Sequence, residues 1–295
     1  MEKRQFSIIT DTACDMPKSY YEEHNLVAVP LGFTMNNVNY EGQSGEQIDP
    51  KEFYDTLRKG GMPTTYQVTA EVAKDYIEPF LKEGKDVLIL TFSSGLSGTS
   101  GSFSIAARDL KEEYPDRKIV VVDSLCASMG QGLFVDYVRK KADEGGSIED
   151  VAEYAEGLKL HICHQFTVDD LFHLKRGGRV SATAALLGSV LKIKPVMHVN
   201  NEGKLIVVGK TLGRKKALHT IVDNLFMQAD IGEGDPIFIS HGDCMDEVEY
   251  VIKLIRERYP DTEIVVNYIG AVIGTHAGAG TIALFCKGKQ RMFDK

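Results

Sequence analysis

The sequence predicts two α/β domains, the N-terminal one on a mostly parallel open sheet and the C-terminal one on a mixed sheet. Three observations carry that expectation. At 295 residues the chain is too long for one small core and suits two domains of ordinary size. Three apolar runs in the first half, at 6–10, 86–91 and 118–122, each end in small polar residues and then a helical pattern. That is the strand–loop–helix unit of a parallel sheet. Near His161 the composition changes, which divides the chain into 1–160 and 161–295.

Residues 6–10 form the first strand, and Asp11-Thr12-Ala13-Cys14-Asp15 is the polar loop at its end. Ala13 stands where an aspartyl-phosphate enzyme would carry its second Asp, so both aspartates read as turn and cap residues. Residues 26–31 are a second strand, Asn36-Asn37 a hairpin turn, and Pro50 the first residue of a helix. Residues 60–69 read as an extended polar loop, followed by a helix around Tyr76, Ile77, Phe80 and Leu81. The strand at 86–91 runs into Ser93-Ser94-Gly95-Leu96-Ser97-Gly98-Thr99. Phe103, Ala106, Ala107 and Leu110 then recur at helical spacing. The strand at 118–122 ends in Asp123-Ser124, a further helix follows, and Ser147 caps the helix Ile148–Leu158.

In the second half, 165–168 is a strand and Asp169-Asp170 cap a short helix. That helix ends at Lys175-Arg176-Gly177-Gly178-Arg179, with Gly177 as a left-handed cap. Ser181 opens an Ala/Leu-rich helix to about Leu191. Residues 194–208 make a β-hairpin around Asn200-Asn201-Glu202-Gly203. Leu212-Gly213-Arg214-Lys215-Lys216 opens a helix to Met227, and strands follow at 237–240, 263–266 and 281–286. Residues 269–280 read as a glycine-rich loop that carries His276.

Composition narrows the function. A net charge of −8 argues against nucleic acid and against an acidic membrane surface as the main partner. Five scattered cysteines without a Cys-x-x-Cys pair suit reduced thiols in the cytoplasm. The N-terminus lacks the apolar core of a signal peptide, and no apolar run is long enough to span a bilayer. No His/Cys/Asp spacing suggests a metal site, and no cofactor is expected.

The chemistry points to residues 93–99. Glycines let a backbone approach a ligand, and Ser93, Ser94, Ser97 and Thr99 add hydroxyl donors. The loop has no lysine, so it is not a P-loop, and Thr99 replaces the last glycine of a nucleophile elbow. What remains is a neutral clamp for an anionic head group. His276, wrapped in glycines, suits acid–base work or hydrogen bonding to that anion. Arg176, Arg179 and Arg214 form basic patches in an acidic chain, read either as solvated helix ends or as a docking surface.

In order along the chain, residues 10–15, Pro63-Thr64-Thr65-Tyr66-Gln67, residues 93–99 and Asp123-Ser124-Leu125-Cys126-Ala127-Ser128 make a set of motifs. Asp170 to Arg179, Ile193-Lys194-Pro195 and Gly274-Thr275-His276 continue it. Together they resemble the DegV family of bacterial fatty-acid-binding proteins over nearly the whole chain. The resemblance implies a tunnel for a long acyl chain, of the palmitate type, between two α/β domains. It implies a carboxylate held by Thr65, Ser93 or Ser94, and His276, with no catalytic residue. It also implies presentation of that carboxylate to the catalytic subunit of a fatty acid kinase, with Arg176, Arg179 and Arg214 at the docking face. Tyr66 stands where the family usually has Ser, and Val68 where it often has Pro. Ala279 replaces a Pro and Leu212 an Arg. The first three bear on chain-length preference and loop rigidity, the last on docking.

Two rival readings are a hydrolase with a clamp serine as nucleophile and His276 as base, and a small-polyol binder akin to the substrate domain of dihydroxyacetone kinases.

Overall fold

The structure, a computed structural model, describes residues 4–41, 48–169, 171–181 and 192–291. The expected helix from Ser181 to Leu191 lies almost wholly outside them, as does Asp170. The first half is built on four parallel strands, β1 (Phe6–Asp11), β2 (Leu26–Val29), β6 (Asp86–Thr91) and β7 (Ile119–Asp123), in the order β2-β1-β6-β7. Their Ile and Val side chains are buried on both faces at the sheet centre, as parallel strands between helices require. Helices α1 (Lys18–Glu23), α2 (Pro50–Arg58), α3 (Ala70–Lys82) and α4 (Thr99–Glu113) belong to this half. So do α5 (Met129–Asp143) and α6 (Ile148–Leu158), and Ser147 closes a capping box with Asp150 at the start of α6.

A small antiparallel sheet, β4-β3-β5, stands apart from it. It joins β3 (Gly32–Met35) and β4 (Val38–Glu41) through the Asn36-Asn37 turn, both residues at positive φ. Its third member, β5 (Thr64–Tyr66), pairs Thr65 opposite Phe33, so part of the stretch expected as loop is strand. The alternation that would mark β5 in sequence is only three residues long, too short for a period to show.

The second half is a six-stranded mixed sheet in the order β10-β9-β8-β13-β11-β12. It consists of β8 (Ile162–Thr167), β9 (Ile193–Val199), β10 (Leu205–Leu212), β11 (Ile237–His241), β12 (Ile264–Tyr268) and β13 (Ile282–Lys287). Only β11 and β12 run parallel. Its helices are α7 (Phe172–Arg176), α8 (Arg214–Gln228), α9 (Met245–Arg256) and α10 (Ala271–Ala277). Three sequence expectations change here. His276 lies in the last turn of α10, not in a loop. The left-handed cap after α7 is Gly178, at φ 72°, while Gly177 keeps a right-handed helical backbone. Leu171, not an aspartate, occupies the N-cap of α7, and Asp169 pairs instead with Lys194.

No linker separates the halves. α6 passes through a single 3-10 turn (Lys159–His161) straight into β8. One hydrophobic cluster contains Ile8 and Leu88 from the parallel sheet, Phe134 and Val138 from α5, and Phe166, Phe238 and Phe285 from the mixed sheet. α5 therefore serves as the shared layer between two sheets.

Candidate functional site

A cavity of about 340 Å³ opens where the loops after β6 and β7 meet the mixed sheet and α10. Its volume lies within the range of small-molecule sites. Most of the wall is apolar, with Phe92 and Leu96 from the first half and Phe166, Val199, Ala283 and Phe285 from the mixed sheet. Val272, Ile273 and Ala277 contribute one face of α10. The apolar periodicity of these strands is legible as core, but not as the lining of a void, and the helix reads as loop. A cavity wall and a packed wall have the same sequence pattern.

One group of lining residues is polar: Thr65, Gln67, Ser97, Arg179 and His276. Thr65 Oγ1 and His276 Nε2 lie 2.8 Å apart. Thr65 comes from β5 and His276 from α10, so the pair closes the small sheet onto the second half. The imidazole fits because residue 177 is glycine: a Cβ there would fall 2.0 Å from His276 Nδ1. Gly178 supplies the left-handed turn that follows. The Arg179 N–H donates to the Leu174 carbonyl at 2.9 Å, and the Gly178 N–H to Lys175 at 3.0 Å, a Schellman arrangement. This turn aims Arg179 back at the cavity, where its Nε donates to the Leu96 carbonyl at 3.0 Å.

Burial, with Arg179, Arg176 and His173 nearby, pushes the His276 pKa down to about 4. The imidazole is neutral near pH 7, and its Nδ1 is buried without a hydrogen-bond partner. In the Nε2–H tautomer it donates to Thr65, which leaves the threonine hydroxyl proton for a ligand. Arg179 adds a cation that its place in a basic run did not reveal as a cavity residue. The nest is thus not charge-neutral, as the hydroxyl-rich loop alone suggested.

The other expected residues take different places. Ser93 is buried, and its hydroxyl donates to the Gly203 carbonyl at 2.8 Å. Gly203 is at φ 72°, and a Cβ there would strike Ser93 Oγ at 2.1 Å, so the clamp loop is keyed onto the β9–β10 turn. Ser94 is exposed, and its N–H donates to Asp123 Oδ1 at 3.2 Å. Neither borders the cavity, whereas Ser97 does. Asp11 also supports the loop, accepting the Phe92 N–H at 2.7 Å.

Arg176 reaches the carbonyls of Pro63 and Thr275, at 3.0 and 3.2 Å, and so ties β5 to α10. Arg214 binds the Glu247 carboxylate, through Nε at 3.0 Å and Nη2 at 2.7 Å, and the Gly280 carbonyl. The Tyr66 hydroxyl donates to Glu41 at 3.0 Å and stays off the Thr65–His276 pair. Gln67 was visible only as part of a motif. Among the described residues no group of His, Cys, Asp or Glu could hold a metal ion, and no helix is long and apolar enough to cross a membrane.

Comparison with known proteins gives a consistent answer. A family model described as DegV, an uncharacterised protein family, matches residues 5–289. A DegV domain-containing protein of Clostridium perfringens is 42% identical over 97% of this chain and 98% of its own. Among solved structures, one reports fatty acid binding of a DegV family protein from Thermus thermophilus. It is 31% identical, has a TM-score of 0.86, and covers 96% of this chain and 99% of its own. The structure of DegV from Bacillus subtilis, described as a fatty acid binding protein, is 30% identical with a TM-score of 0.82, over 97% and 100%.

Proposed function

The chain belongs to the DegV family, and on that premise we propose that it binds a long-chain fatty acid in the cavity, carboxylate toward Thr65 and His276. The observation that carries the reading is the Thr65–His276 pair at 2.8 Å beside an otherwise apolar wall. The Thr65 and Ser97 hydroxyls are positioned to donate to the carboxylate, Gln67 can add an N–H, and Arg179 balances its charge. Each buried methylene adds about 0.8 kcal/mol before entropy losses, so the hydrocarbon supplies most of the affinity and the mouth sets direction. Ser93 acts through the loop it anchors, and Ser94 faces solvent.

The second part of the proposal is that the bound carboxylate is presented, in the cytoplasm, to a kinase subunit that makes the acyl phosphate. A carboxylate at a polar mouth with its tail enclosed is the orientation such a reaction needs. The three arginines would then act by holding the mouth in shape as much as by surface charge. A hydrolase is less well supported, because His276 Nε2 is hydrogen-bonded to a threonine and not to a serine.

Native mass spectrometry of the protein incubated with stearate tests the first part. The expected result is a one-to-one adduct that survives dilution, and retention of a small polyol but no stearate would overturn it. For the second, Thr65→Ala is expected to lower acyl-phosphate formation more than it lowers stearate retention. Equal loss of both would remove presentation from the proposal.

A further inference from the structure

Three polar side chains stand on the cavity wall away from the mouth: His164, Thr281 and Ser128. Two of them are bonded to backbone alone, His164 through both nitrogens and Thr281 through its hydroxyl hydrogen. His164 Nδ1 lies 3.0 Å from the Ile162 carbonyl, which can only accept, so this nitrogen carries the proton. Its Nε2 accepts the Ala127 N–H at 3.2 Å. The Thr281 hydroxyl is shared between the Ala277 and Gly278 carbonyls, each at 2.9 Å.

Ser128 differs. Its hydroxyl lies 2.5 Å from Asp15 Oδ2 and 2.9 Å from Ser240 Oγ, and all three residues are buried. A hydroxyl has one hydrogen and two lone pairs. With Asp15 ionised, the Ser128 hydrogen goes to the carboxylate, Ser240 donates to Ser128, and one lone pair is left. With Asp15 protonated and donating, the Ser128 hydrogen itself is left. In both states one hydrogen-bonding valence remains on a residue of the cavity wall.

The backbone marks the same two residues. Asp15 is at φ 52° and Ser128 at φ 53°, conformations that cost a non-glycine residue free energy. Neither is in an exposed turn. Both belong to motifs, residues 10–15 and 123–128, that the head-group site does not use. Asp15 accepts the Gly270 N–H at the start of α10, whereas His276 lies in its last turn. A helical rise of about 1.5 Å per residue puts these two points roughly 9 Å apart. On the fatty-acid reading this places Ser128 toward the acyl chain and away from the carboxylate end.

We propose that Ser128, held by Asp15 and Ser240, is a specificity contact for a hydroxyl group carried partway along the acyl chain, so that this cavity takes hydroxylated long-chain fatty acids. The inference rests on the fatty-acid reading of the same cavity. An apolar wall would reject a chain hydroxyl, because the group would lose its water without a partner. Ser128 supplies that partner at one depth only. A match should therefore exist for one position of the hydroxyl and not for its neighbours.

The test is competition between stearate and a series of stearates hydroxylated at successive mid-chain positions, read by native mass spectrometry. For the wild-type protein one positional isomer is expected to bind at least as well as stearate, with isomers on either side about tenfold worse. Ser128→Gly, which suits the backbone at that position, is expected to weaken the preferred isomer about tenfold more than it weakens stearate. If every isomer binds worse than stearate, or if Ser128→Gly shifts stearate and the preferred isomer equally, the inference is overturned while the fatty-acid reading stands. If the wild-type protein retains neither, both fail together. Stearate retention by Ser128→Gly reports that the variant has folded.

Discussion

The two ends of the cavity are built by opposite means. At the mouth, the polar groups come from four places: Thr65 and Gln67 from β5 and the residue after it, Ser97 from the loop after β6, Arg179 from the turn after α7, and His276 from α10. Close approaches with no room for a side chain, such as Gly177 against His276, hold them together. Farther in, the wall is mostly the face of one continuous sheet, from Val199 on β9 through Phe166 on β8 to Ala283 and Phe285 on β13. The mouth depends on the placement of single atoms, whereas the wall depends on volume. Loss of one atom at the mouth should change orientation, and added bulk on the wall should change which chain fits.

The largest expected effect separates the two ends by pH. The depressed His276 pKa means that the unfolded chain, with an ordinary imidazole, takes up a proton more readily than the folded one. Its stabilising contribution is full above about pH 6.5 and is lost as pH falls toward 4, amounting to about 3 kcal/mol at most. Burial raises Asp15 to about 7, which has the opposite sign: stability present below the usual carboxylate range and lost as pH rises through 7. Urea denaturation of His276→Gln against wild type from pH 4 to 7 isolates the first contribution. A difference that does not vary with pH would mean that the imidazole is not held neutral.

Next is Ala283→Leu, which pushes about three carbons into the cavity from the wall. Excluding a similar length of acyl chain costs about 2 kcal/mol, so long acids should lose roughly thirtyfold in affinity and shorter ones much less. A uniform loss across chain lengths would show that the wall does not gauge length. Gly177→Ala should cost about 2 kcal/mol of stability by crowding His276, and should also flatten the pH dependence. If the melting temperature is unchanged, the ring has room that the geometry denies. Thr65→Ala should reduce stearate retention only about fivefold, as loss of one hydrogen bond would. Ser94→Ala, at an exposed hydroxyl, should stay within about 0.5 kcal/mol of wild type in stability.

The same contrast governs what could be read from the sequence. Most strands and most helices are legible because each buries a face with its own period, and the capping box at Ser147 is local chemistry. The Thr65–His276 pair could be named only through the resemblance, since 211 residues separate its members. The clamp loop showed hydroxyls but not their directions. Ser93, which reads as a donor, turns away to Gly203, while Ser97 four residues later borders the cavity. His276 reads as loop because the glycines at 274, 278 and 280 mask a helix of only seven residues. Arg179 reads as surface because the turn that redirects it is set by the φ of Gly178, which composition does not disclose.

The apolar cluster shared by α5 and both sheets has a practical corollary. Each half has an apolar cluster of its own, around Ile77 and Phe103 in the first and Ile221 and Leu284 in the second, but excision would split the shared one, so the head-reading and tail-holding parts should not trade between relatives as cassettes. Calorimetry should register one cooperative melting event, and a change of cargo has to be engineered residue by residue inside an undivided body.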